Sequence, residues 1–127
     1  MDFSIEIDFV KKYIKKEYQE RIIFELQSKN NREKAISRFS HSSDMILKDL
    51  FVKCTMAELQ NHLADSCDTK EECYIISGDR LDGQALPLHD AIHYCKTSYM
   101  AVILISSKFA VVKEEVESKE PLIFISK

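Results

Sequence analysis

The sequence predicts an α+β fold in which N-terminal helices pack on a mostly antiparallel sheet of about four strands, in the order α-α-α-β-α-β-β-β. Three observations lead there. The stretch Tyr99–Val112 is the longest nearly uninterrupted apolar run and is rich in β-branched residues. A segment with no polar face must be covered on both sides, so it reads as buried strand. The N-terminal part instead spaces its apolar residues near the helical period. Finally, the helices come first and the strands follow in hairpin-like succession, which is the α+β arrangement.

The chain has 127 residues, 45% hydrophobic and 31% charged, the balance of one globular domain over residues 1–127 with one continuous core. The net charge of −3 gives no general attraction to nucleic acid or anionic membrane. Residues 1–64 carry 11 Lys/Arg against 10 Asp/Glu, and residues 65–127 carry 7 against 11, so the acidic excess lies in the C-terminal half. The start, Met1-Asp2-Phe3-Ser4-Ile5-Glu6, is acidic where a secretory segment is basic, and no apolar run reaches the ~20 residues of a membrane helix. The four cysteines show no Cys-x-x-Cys spacing. Reduced thiols in a cytoplasmic protein are expected, with Cys54 and Cys95 as small core residues.

In chain order, Asp8 is placed to cap a long helix to about Ser28, with Phe9, Val10, Tyr13, Ile14, Tyr18, Ile22, Ile23 and Leu26 as one stripe. Asn30 or Asn31 can cap a second helix through Arg38. The segment Met45–Lys53 fits a short helix slightly better than a strand. Thr55-Met56-Ala57-Glu58 is a capping box that opens a helix to about Ala64. Cys73–Ser77 is the first strand. Gly78 and Gly83 bracket a tight loop, and Pro87 suits the first turn of a helix to about Lys96. That helix reads as a crossover, so the strands on either side of it are expected to be parallel or separated by another strand. Strands at 99–105, 109–115 and 122–125 complete the sheet, with a turn at 117–121.

Several groups of residues could carry chemistry. His89 and His93 stand at i and i+4 on one helix face, the spacing with which helices chelate metals. The pattern is similar to the zinc-protease motif His-Glu-x-x-His, but Asp90 is a methylene shorter than the glutamate base and no third ligand is evident. Two ordinary surface histidines explain it as well. Asp79 and Asp82 beside Gly83 read as turn residues, since the ligand alternation of a calcium loop is missing. Lys11, Lys12, Lys15 and Lys16, with Arg32, Lys34 and Arg38, form a weak nucleic-acid footprint diluted by interleaved carboxylates. Arg38-Phe39-Ser40-His41 could recognise an anion or cap helix ends. No nucleophile–base pair is distinguished by spacing.

The acidic segments are the remaining lead: Asp65, Asp68, Glu71 and Glu72, then Glu114, Glu115 and Glu117. Brought together by the fold, they would form a negative patch that steers a basic partner; otherwise they keep sheet edges soluble. The functional expectation is a small interaction module of inhibitor or immunity type, without catalysis, cofactor or membrane attachment, that binds a protein through its acidic sheet half. A homodimer would use a surplus apolar face in the same way. The alternatives are a metal-dependent enzyme or sensor built on His89 and His93, and an RNA-associated protein using the basic N-terminal helix.

Overall fold

The computed structural model describes residues 1–66, 71–116 and 120–127. It is α+β, with five α-helices and one antiparallel six-stranded sheet among those residues. The helices are α1 (Phe3–Tyr13), α2 (Lys16–Gln27), α3 (Arg32–Arg38), α4 (Met56–Ser66) and α5 (Leu88–Thr97). The strands are β1 (Phe51–Cys54), β2 (Glu72–Ser77), β3 (Ala85–Pro87), β4 (Val102–Ile105), β5 (Ala110–Lys113) and β6 (Ile123–Ser126), in the spatial order β1-β6-β5-β4-β2-β3.

The sheet is buried on both faces. Phe9, Ile14, Ile22, Leu26 and Phe39 from the N-terminal helical region cover one face, against Ile76, Ile103, Val112 and Phe124. Leu59 and Leu63 of α4 with Leu88, Ala91 and Cys95 of α5 cover the other, against Ile75, Leu104, Val111 and Ile123. This double cover is why the central strands read as continuous apolar runs and do not alternate.

The N-terminal helix differs from expectation at both ends. It starts at Phe3, where the Asp2 carboxylate accepts the Ile5 amide at 3.3 Å, and not at Asp8. It breaks at Ile14, which is extended and forms an antiparallel bridge with Ile46. Lys15 N–H donates to Met45 O and Leu47 N–H to Tyr13 O, both at 2.8 Å, while the Gln19 amide caps the Ile14 carbonyl at 2.9 Å. Long-range pairing thus replaces the helical bonds at the break.

The sheet has six strands where about four were expected. The segment that leaned towards helix contains β1, an edge strand paired with β6, while β3 is three residues long. Pro87 ends β3 and precedes α5; it is not inside the helix. The strands expected at 73–77 and 99–105 are direct antiparallel neighbours, with Tyr74 opposite Ile105. The crossover exists, but it joins β3 to β4, which run parallel with β2 between them. The capping box at the start of α4 forms as read: Thr55 N–H donates to the Glu58 carboxylate and Glu58 N–H to the Thr55 hydroxyl, both at 3.1 Å. Gly83 has φ +80°, the one left-handed position among the described residues.

Candidate functional site

The strand expected from Tyr99 begins only at Val102, and this difference shapes a cleft. Tyr99 and Met100 lie in the loop between α5 and β4, 77% and 41% exposed. The loop is held from below. Lys113, 1% exposed, donates from Nζ to the Cys95 carbonyl at 2.9 Å and to the Ser98 carbonyl, tying the end of α5 to β5. Burial lowers the pKa of this ammonium. Val116 N–H donates to Tyr99 O at 2.9 Å.

Beside that loop a cleft of about 450 Å³ opens between α3, the loop after β2 and the end of β5. Its base is an ion-pair network. Arg32 donates to Asp82 from Nε at 2.7 Å and Nη2 at 2.9 Å, to Glu6 from Nη1 and Nη2 at 2.7 Å each, and to Leu26 O from Nη1 at 2.9 Å. All five guanidinium donors are therefore used, and none is left for an incoming anion. Burial alone would lower the Arg32 pKa, but the two carboxylates outweigh it and hold it above the ordinary value. Glu6 is 0% exposed and also accepts the Tyr74 hydroxyl at 2.6 Å. Burial, reinforced by that carboxylate, raises the Tyr74 pKa.

The wall is acidic. The exposed Asp79 accepts the Tyr94 hydroxyl at 2.5 Å, the Leu81 amide at 2.9 Å and the Ser77 hydroxyl at 3.2 Å. These donors outweigh burial and keep the Asp79 pKa below its ordinary value, so the group is ionised at neutral pH. Tyr94 is correspondingly pushed up to about 12, by burial and then by Asp79. Glu33 and Glu115 line the cleft as exposed carboxylates, with no ion-pair partner among the described residues. Four carboxylates and two cations, Lys29 and Arg32, line the cleft, so its field is negative. Ser37, Ser40 and Ser77 supply hydroxyls, but no imidazole or thiol lines it among the described residues. The arrangement suits holding a cationic group.

The acidic residues singled out by sequence do not converge. Glu72 starts β2, and Glu71 just before it accepts the Ser107 hydroxyl at 2.7 Å and amide at 3.1 Å. Those bonds, the hydroxyl's first, lower the Glu71 pKa. The strand register places Ser77, Val102 and Lys113 together at the other end of the sheet, next to Glu114 and Glu115. The two pairs are thus roughly 20 Å apart, the length of a six-residue strand. Glu114 is 6% exposed and cannot serve a surface, and its Oε1 has no hydrogen-bond partner among the described residues. The side chain of Asp65, together with Asp68 and Glu117, lies outside the described residues.

His89 and His93 both line a second groove, of about 350 Å³, between α4 and α5. No group of three His, Cys, Asp or Glu residues among the described ones could hold a metal ion. Arg38 donates to the Glu25 carboxylate at 2.8 and 3.1 Å, which offsets its charge, while Phe39 is buried and His41 is exposed. Cys95 is 0% exposed and burial pushes its thiol up to about 11; Cys54 is half-buried and is also raised by burial. Both behave as inert interior thiols, while Cys67 lies outside the described residues.

Sequence reading missed Glu6, and it placed Arg32 in a basic surface footprint, whereas Arg32 is 7% exposed and paired with two carboxylates. A signal for Glu6 was present: with the helix started at Asp2, Glu6 falls three, four and seven residues before Phe9, Val10 and Tyr13, on the buried stripe. Arg32 carried no such signal, because Glu6 and Asp82 reach it from distant parts of the chain.

Among the described residues no helix is long and apolar enough to cross a membrane. No family model matches the chain, and no curated protein or solved structure matches it either.

Proposed function

We propose that this protein is a small interaction module, of inhibitor or immunity type, that binds a basic protein partner and performs no catalysis. The observation that carries the reading is the cleft beside α3, where Glu33, Asp79 and Glu115 present carboxylates next to exposed Tyr99 and Met100. Aromatic and methionine side chains are enriched where partners bury them, and complementary charge around them sets register and association rate. The Arg32 network below holds the cleft in shape without joining in binding, since its donors are all used. The binding site is thus drawn in from the whole acidic half to one end of the sheet.

The test is copurification of a partner from lysate of the source organism, at low and high salt, with wild type, Glu33→Lys and Glu115→Lys. Both residues are exposed, so the variants should fold as wild type does. A basic protein that is retained at low salt, weakened by salt and lost with either reversal supports the reading. Retention unchanged by both reversals, or no stoichiometric partner, overturns it.

A further inference from the structure

We propose that His89 and His93 form a two-imidazole site for a divalent transition-metal ion, such as Zn²⁺ or Cu²⁺, in the groove between α4 and α5.

The spacing i, i+4 sets the two side chains one above the other on α5, within reach of a common point. The fold adds what spacing alone could not supply: both residues line the same groove, together with Leu63 of α4 and Leu88 and Ile92 of α5. Both are exposed, and neither imidazole takes part in a hydrogen bond or ion pair among the described residues. Each neutral ring therefore keeps a ring nitrogen with a free lone pair, the form in which histidine binds metal. Gln60 on the facing helix is the uncharged polar group of the groove, of the kind that holds a metal-bound water. Lys96, one turn beyond His93, is the only cation lining it among the described residues and limits the affinity without removing a ligand.

Imidazole donors select the later first-row ions and zinc, and not magnesium or calcium, which take oxygen. Two protein ligands leave at least two positions of a tetrahedral ion open. The site is therefore of the exchanging kind, able to accept a donor from another molecule, and not a closed structural site on which folding depends. This inference is independent of the acidic cleft.

The experiment titrates the full chain with zinc chloride, and separately with magnesium chloride, following the histidine ring resonances by NMR and the heat of binding by calorimetry. The expected result is that the His89 and His93 ring signals move together, saturate at a single equivalent of zinc and do not respond to magnesium. Loss of a ligand should weaken binding at least as much as loss of an outer-shell partner, so His89→Gln and His93→Gln should each raise the dissociation constant about tenfold or more. His41→Gln should bind as wild type does. Both substituted rings are exposed, so folding is not at risk. Ring signals that stay still at millimolar zinc overturn the proposal. So does zinc binding that survives both substitutions, which would place the metal on other groups such as the thiols.

Discussion

Glu6 and Arg32, 26 residues apart, face each other through two N–H···O bonds of 2.7 Å each, with the carboxylate 0% and the arginine 7% exposed. The pair joins the first turns of α1 to the start of α3, and Asp82 extends it to the loop after β2. Removing one member of a buried pair leaves the other charged and unsolvated, which costs ~3–5 kcal/mol. Arg32→Ala is expected to lose that much in urea denaturation. Arg32→Lys should recover only a small part, since an ammonium cannot reproduce the two-sided fork. A loss below about 1 kcal/mol for the alanine variant would be the size of a surface change and would mean that the network is solvated.

Ile103, at the centre of β4, is 1% exposed and lies on the face covered by the N-terminal helical region. Ile103→Ala removes apolar contacts where close-packed neighbours can relax only in part, so a loss of ~2–5 kcal/mol is expected from the denaturation midpoint. A small loss would place the core elsewhere.

The β2, β4, β5 and β6 segments were legible because they are covered on both faces and so are apolar throughout, as in Cys73–Ile76 and Val102–Leu104. The edge strands were not. Val52 in β1 is 49% exposed and Lys53 is exposed, so neither a continuous run nor a clean alternation marks the strand. The break at Ile14 was hidden because the apolar stripe continues through it; what ends α1 is pairing with Ile46, 32 positions later. The cleft was invisible for a related reason. Glu33, Asp79, Met100 and Glu115 come from four separate segments; the strand register brings the last three to one end of the sheet, and Glu33 follows Arg32, which is tied to Asp82. His89 and His93, adjacent on one helix, could be paired from sequence because their geometry is local.

Glu25 gives a prediction about acid. It is 5% exposed, and the Arg38 hydrogen bonds, the largest cause, together with the charges of Arg38, Arg21 and Lys34, hold its pKa below the ordinary 4.5 against the opposing effect of burial. A carboxylate with a lowered folded pKa binds its proton more readily in the unfolded chain. Its contribution is therefore complete above about pH 4.5 and is lost as the pH falls towards the folded pKa. Arg38→Ala is expected to destabilise the protein at pH 7 and to flatten the dependence of stability on pH below 4.5, measured by urea denaturation across an acid series. An unchanged slope would mean that the acid sensitivity arises at other carboxylates.

Gly78 and Met100 meet at the rim of the cleft. A methyl group added to Gly78 would lie 2.5 Å from the Met100 Cε and 3.6 Å from its Sδ, with Ile36 Cγ2 at 3.7 Å. The obstructing atom is the free end of a flexible, 41% exposed side chain, so it can swing aside at little cost. Gly78→Ala is therefore expected to leave stability within about 1 kcal/mol of wild type, helped by the smaller entropy of the unfolded chain. It should nonetheless shift the Met100 methyl resonance and weaken retention of a partner that buries Met100. Stability and Met100 thus separate: a variant as stable as wild type with a displaced Met100 signal and reduced partner retention places Met100 in the interface. Full retention with a displaced signal would take Met100 out of it and leave the carboxylates alone to hold the partner.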